Sequence, residues 1–345
     1  MYLESGKTIT VDGALSNNPA ARITPKEYTA GTNILTGSGV GTYYSKFTVP
    51  PQKVTEDSED WKVFWYIAAD GTLKAEVEDS SLLQEVINGR PNDTPFIIKL
   101  GNIDDLQTVQ IPGNKKIMLK ADRKVTLKCP SKSDNYKHLQ VEYGATLILK
   151  GLITLQGADY GSNTQYALYV ENRGKAEIKD GVTITGFKNG NIGHVVSDGE
   201  LTMSGGTITG NTAADKGGGV YIAPNRNFTM TGGTISGNIA TENGGGVYVG
   251  GSYNSEYPIR GQFTMSGGEI SGNQAKNGGD VYSQGESKMK GGTITKNKAN
   301  SDGKAMMLEY YFNWDGGEIK ENQGNGSVVG DSGGNFYNDC HGTAS

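Results

Sequence analysis

The sequence predicts an all-β chain wound as a right-handed parallel β-helix, a solenoid of three-strand coils, preceded by a short capping helix and a small β module. Three observations point there. Glycine accounts for 52 of the 345 residues, and 41 of those glycines follow residue 144. Near-identical segments recur at steps of 24 to 35 residues in that glycine-rich part. Between the glycines, apolar and polar residues alternate with period two over three to five residues, which is a strand pattern too short for a helix. Glycine here marks corners. A strict three-residue period is lacking, and only 10 prolines are present, which excludes collagen.

Residues 1–78 read as the small β module or linker. Prolines sit beside strand-like runs such as Phe47 to Pro51, and Val63 to Ile67 followed by Asp70-Gly71 reads as a hairpin with an Asp-Gly turn. The opening Lys7 to Val11 resembles the closing strand of a preceding repeat. Residues 79–90 read as one amphipathic helix, with Ser81 and Gln84 as a capping box and Gly89 as its stop. It is placed to plug the amino end of the solenoid, since an unpaired apolar coil invites edge association.

Residues 91–345 are read as the solenoid. Pro95 to Leu100 and Val109 to Ile111 are its first strands, and Ile117-Met-Leu-Lys120, Leu149-Lys-Gly-Leu-Ile and Ile178-Lys-Asp-Gly are degenerate copies of the repeat. The clean copies run Leu201 to Asn211, Phe228 to Asn238 and Phe263 to Asn273, with weaker ones at Met289 to Asn297 and Trp314 to Asn322. The second glycine of each pair (Gly206, Gly233, Gly268, Gly292, Gly317) precedes an asparagine by five residues every time. Aligning the copies places Ile208, Ile235, Ile270, Ile294 and Ile319 in one interior column, and Met203, Met230, Met265 and Met289 in another. The period is too short for propeller blades, and no helix follows the strand as leucine-rich repeats require. The carboxyl end shows no cap. Gly333 to Asn338 reads as the start of another coil, so the chain is expected to continue in adjoining repeats or to have its last coil covered by a partner.

Composition narrows the functions. Lysine and arginine total 32 against 37 acids, a net charge of −5 without single-sign blocks, which disfavours nucleic-acid binding and polybasic membrane attachment. No run of 18 apolar residues is present, so no membrane insertion of this segment is expected. Two cysteines exclude a disulfide scaffold and a cysteine zinc site. Cys129 and Cys340 lie many coils apart and are expected to be free thiols.

The repeats with their Gly-Gly-Gly-Val-Tyr strands resemble those of large secreted or outer-surface β-helix proteins of spirochaetes and some gut bacteria, similar in style to polymorphic outer-membrane protein repeats on the pectin-lyase-like fold. Those proteins also contain a segment similar to Ala21 to Tyr28, Lys46 to Val49 and the Trp61 to Leu73 hairpin. The resemblance implies a secreted or cell-surface location and an adhesin or structural stalk that binds glycan or protein on a host or neighbouring cell. It supplies no catalytic residues and no cofactor.

The residues agree with a non-enzymatic role. Polysaccharide lyases and glycosidases on such a fold need clustered carboxylates on one outer sheet. Here the outward positions read Thr207, Thr209, Thr234, Ser236, Glu269, Ser271, Thr293, Thr295, Glu318 and Lys320, with Asp180 and His194 the least poor upstream alternative. The threonine columns also suggest an ice-binding face, but Glu269, Glu318 and Lys320 interrupt it, and β-propensity explains the threonines. Asn211, Asn238, Asn273, Asn297 and Asn322 read as a structural amide ladder, and no metal site is expected. His138, His194 and His341 read as surface or corner residues. Alternation turns Tyr221, Tyr248 and Tyr282 of the third strand outward, where the rings either stabilise the sheet by cross-strand contact or stack on a sugar or anchor a protein partner; with the insertion carrying Tyr253, Tyr257 and Arg260 they are the candidate recognition site.

Overall fold

The computed structural model describes residues 1–130, 136–158, 165–188, 190–192, 195–252, 259–324, 329–331 and 343–344. The chain is a β-solenoid of about 11 turns whose strands pair in parallel, in register, from coil to coil. Phe96, Ile117, Leu147, Ala176, Leu201, Phe228, Phe263, Ser287 and Phe312 form one continuous stack of paired positions. The coil at Asn227–Val249 shows the plan. A first leg, Asn227–Met230, turns at Gly232-Gly233 into a second, Thr234–Ser236; a short third leg, Ile239–Ala240, follows the asparagine; and Val247–Val249 closes the coil. The three expected runs are present, and Ile239–Ala240 adds a fourth, a two-residue strand hidden from pattern reading by its length.

Local chemistry accounts for the corners. Gly233 lies at φ 84°, and a Cβ there would come within 2.6 Å of the Gly205 carbonyl oxygen in the coil below. Gly218, in the triple-glycine run, would bring a Cβ within 2.4 Å of the Gly245 carbonyl oxygen. Side chains are therefore excluded at both corners by the adjacent coil, and at Gly233 by φ as well. Where the repeat degenerates, Lys296 and Glu321 adopt φ 57° and 56° at the corner that Gly210, Gly237 and Gly272 occupy in clean copies.

The interior is mostly apolar, with a column of buried asparagines. Ile184, Ile208, Ile235, Ile270, Ile294 and Ile319 are paired in succession and buried. Each buried isoleucine contributes on the order of 1.5–3 kcal/mol relative to exposure. Phe228 and Phe263 stack at 5.3 Å. The asparagine column points into this core. Asn238 Nδ2 donates to the Ile208 carbonyl at 2.9 Å and to Asn273 Oδ1 at 3.1 Å, while the Asn238 backbone N–H donates to the same Oδ1 at 2.9 Å. Asn211, Asn273 and Asn297 repeat this pattern, and Asn322 ends it half-buried. A buried amide keeps its place because every coil offers it both a donor and an acceptor.

Residues 1–48 contain their own parallel pairs, Tyr2–Leu3 with Thr24–Pro25, Ile9–Thr10 with Leu35–Thr36 and Ala21–Arg22 with Phe47–Thr48. The amino-terminal region is thus partly a small coil stack rather than only hairpins. The expected Asp-Gly hairpin joins Tyr66–Ile67 to Leu73–Lys74, with Gly71 at φ 82°. A second hairpin, Gln52–Glu56 with Glu59–Val63, pairs its returning strand with Phe96 and Ile97. The module's core, including Trp61, Val63 and Trp65, is closed by Ile97, Met118 and Ile148 from the outer face of the solenoid.

The helix spans Ser80–Asn88 and packs Leu83, Val86 and Ile87 into the solenoid core. The proposed capping box is replaced by another cap. Asp79 is the N-cap, its Oδ1 accepting from the Leu82 N–H at 2.8 Å. Gln84 instead reaches Asn88 and both backbone groups of Gln110, tying the helix to the first coil. Starting two residues earlier than the box requires moves Ser81 into the first turn, where its hydroxyl no longer faces the free N–H groups.

Candidate binding surfaces

The tyrosine row is formed as the alternation predicts, but its rings are not free. Tyr221, Tyr248 and Tyr282 occupy paired positions on successive coils, outside the valine core. Their rings stack at 5.3 and 5.6 Å with interplanar angles of 6° and 8°. Tyr248 and Tyr282 retain only 3% and 8% exposure. Each ring face is covered by its neighbour, and Lys216 Nζ lies 5.1 Å over the Tyr248 ring. The hydroxyls are engaged too. Tyr248 donates to Gln284 Oε1 at 2.5 Å, Tyr282 to Glu309 Oε1, and Gln284 Nε2 to Glu309 Oε2 at 2.9 Å. Burial raises the Glu309 carboxyl and the Tyr221 phenol above their ordinary values. Of the two readings, cross-strand stacking is the one the rings adopt, and Tyr248 and Tyr282 as open binding faces are corrected: at strand spacing, parallel rings in register close on one another. Tyr221 is half-buried at one end of the stack, and Met307 packs at the other.

The insertion leaves this same strand as an antiparallel hairpin, Gly251–Ser252 with Ile259–Arg260. Tyr253 and Tyr257 lie outside the described residues. The Arg260 guanidinium rests 3.6 Å from the Tyr310 ring centroid, so it anchors the hairpin base on the neighbouring coil. Ile259 beside it is exposed.

On the second leg, Thr207, Thr234, Glu269, Thr293 and Glu318 form one outward column. Glu269 and Glu318 stand two coils apart, and the Glu318 carboxylate holds Lys320 at 2.5 Å. Thr295, read as outward, is covered, at 6% exposure. Among the described residues no three His, Cys, Asp or Glu side chains gather where they could hold a metal ion.

A charged seam went unseen in the sequence. Lys120 and Lys150 are paired neighbours, and Lys179 continues their line. The hairpin turn brings acids onto them: Glu56 lies 2.9 Å from Lys120 and 2.7 Å from Lys150, and Asp57 lies 2.6 Å from Lys150 and 3.3 Å from Lys179. Hydrogen bonds from Lys120 and Lys150 hold the Glu56 carboxyl below its ordinary range, and the bond from Lys150 does the same for Asp57. The recurrence of lysine after each apolar triplet was the available signal.

His138 is a core residue, not a surface one. It is fully buried between Tyr136 and Phe187, and burial lowers its pKa to about 3. His194 and His341 lie outside the described residues, so the Asp180 and His194 pairing has no geometry to report. Cys129 is buried, and desolvation pushes its thiol up to about 12; Cys340 lies outside the described residues. No helix among the described residues is long and apolar enough to cross a membrane.

Compared with protein-family models, with curated proteins and with solved structures, the chain finds no match in any of the three.

Proposed function

We propose that this chain is a non-enzymatic β-solenoid of a cell surface or secreted protein, a rigid stalk or adhesin that binds glycan or protein through a lateral face. The observation carrying this reading is the antiparallel pair Gly251–Ser252 with Ile259–Arg260, which interrupts the parallel coil at the exit of the tyrosine row and is anchored by Arg260 on Tyr310. A loop standing on a stiff, repetitive scaffold is the usual place for recognition residues. The tyrosine row serves as its foundation, and contact falls to the hairpin with its exposed Ile259 and to the half-buried Tyr221 at the end of the row. Ion pairing on the outer faces supports binding over catalysis, because Glu318 and the acids of the charged seam are committed to lysines. Glycosidic cleavage needs two carboxyl groups free to exchange protons across one bond.

The test is a panel of immobilised polysaccharides and whole cells presented to the full chain and read for both retention and cleavage. Retention without product, lost when residues 252–259 are replaced by a Gly-Ser turn, is expected. Release of unsaturated or reducing-end products would establish the carbohydrate-active-enzyme alternative instead.

A further inference from the structure

We infer a second binding site, for a saccharide ring, in the aromatic cleft between the amino-terminal module and the capping helix. This site is separate from the lateral face and goes beyond that reading. The cleft has room for about 410 Å³, within the range of small-ligand pockets, and is lined by Tyr44, Phe47, Phe64, Tyr66, Glu85 and Arg90. Trp65 also lines it, fixed by an indole N–H bond to Gln52 Oε1 at 3.2 Å and by contact with Tyr28 at 5.6 Å.

The wall chemistry selects the ligand. Phe64, in the link after strand Glu59–Val63, and Tyr66, which opens the next strand, hold their rings nearly parallel at 5.7 Å and 13°. Tyr44, Phe47, Phe64 and Tyr66 are all half-buried, with apolar surface left at the opening. Arg90 lies 5.0 Å from the Phe64 ring and 5.1 Å from the Phe96 ring, with Nε donating to the Val86 carbonyl at 2.9 Å. Among the described residues no carboxylate pairs with Arg90, although burial lowers its pKa. Glu85, on the exposed face of the helix one turn before, has no cationic partner among the described residues either. An aromatic wall with one fixed multiple donor and one carboxylate acceptor at its rim matches a pyranose ring, which presents apolar C–H faces and a circumference of hydroxyls. A bare aromatic ring would use the wall but leave the donor and acceptor unmatched, at the desolvation cost that unpaired polar groups carry.

Trp65 reports on this cleft. The full chain is titrated with maltohexaose, cellohexaose, xylohexaose, chitohexaose and trigalacturonic acid while tryptophan fluorescence is followed, with N-acetyl-tyrosinamide and N-acetyl-tryptophanamide run in parallel. Saturable change with at least one saccharide is expected, weakened tenfold or more by Glu85→Gln and by Tyr44→Ala. Glu85 is exposed and its substitution leaves the fold alone; a thermal melt of Tyr44→Ala checks the other variant. No saturable saccharide response, a saccharide response unchanged in Glu85→Gln, or saturation by the aromatic amides alone overturns the site. The hairpin replacement at 252–259 leaves this titration unchanged, so loss of the lateral-face reading and loss of this one are told apart.

Discussion

The first-leg sheet runs the length of the solenoid, yet its outer face has two characters. At one paired position the residues read Ile97, Met118 and Ile148 in the early coils, then Glu177, Thr202, Thr229, Thr264, Lys288 and Asn313. The early trio is buried under Trp61 and Val63 of the module, and the later residues face outward from the clean repeats. The parallel pairing from coil to coil is common to both regions. One outward column decides whether the sheet is an internal interface or a solvated wall, and the neighbouring column follows it, with Lys120, Lys150 and Lys179 meeting the acidic hairpin turn only where the module sits. Repetition is cleanest where the outer face meets only water, because there each coil has the same neighbours.

The matched pair Met118→Lys and Thr229→Lys breaks the comparison most directly. The first places an ammonium under the module and is expected to cost about 3 kcal/mol or more, while the second, on the solvated wall, changes stability by less than about 0.5 kcal/mol. Chemical denaturation of both variants measures the difference.

Next in size is the ladder. Asn238→Ala strands the Ile208 carbonyl and the donors of Asn211 in the core and is expected to cost roughly 2–3 kcal/mol, whereas Asn322→Ala, at the half-buried end, costs about 1 kcal/mol. Equal costs would show that the column contributes through packing rather than through its bonds.

The two regions also respond to pH with opposite sign. His138, in the early coils, has its folded pKa depressed to about 3 from an ordinary 6.5, so it stays neutral while the unfolded chain takes up a proton. Stability is therefore lost as pH falls from about 6.5 towards about 3, by up to roughly 1.4 kcal/mol per unit, and His138→Gln removes that slope. Asp280, in the later coils, is fully buried, with Oδ1 accepting from Asn273 at 3.0 Å and burial raising its pKa well above 3.8. Its native form holds a proton that the unfolded chain releases, so it weakens the fold as pH rises above about 4. Asp280→Ala, the residue type that the next coil carries at Ala305, is expected to melt higher at neutral pH and to converge with the parent below about pH 4. Melting temperatures across pH 3–8 test both.

The smallest effect separates clean from degenerate corners. Lys296→Gly and Glu321→Gly relieve positive φ and are each expected to add about 1 kcal/mol, while Gly237→Ala, at φ 61°, subtracts a similar amount. Denaturation midpoints of the three variants check this.

The coil plan was legible because Met-Ser-Gly-Gly and Gly-Asn fix corners by φ and by crowding, both local properties of residue type. The docked face was legible in part. Phe96-Ile-Ile98, Ile117-Met-Leu119 and Leu147-Ile-Leu149 are apolar on both parities, unlike Phe228-Thr-Met230, and a strand apolar on both faces is covered on both. What covers it, and that Glu56 and Asp57 reach the lysine line, depended on contacts between segments far apart in the chain, 93 residues for Asp57 with Lys150 and more for Asp57 with Lys179. The tyrosine row failed as an exposed surface for a related reason: alternation gives the side of the sheet a residue takes, and stacking with the adjacent coils decides how much of it water reaches.

Backbone hydrogen exchange of Met118→Lys against the parent tests the division of the sheet most directly. Faster exchange across residues 47–67, with residues 201–320 unchanged, is the result expected if the outer column docks the module. Uniform acceleration through both regions, or an unchanged module, would contradict it.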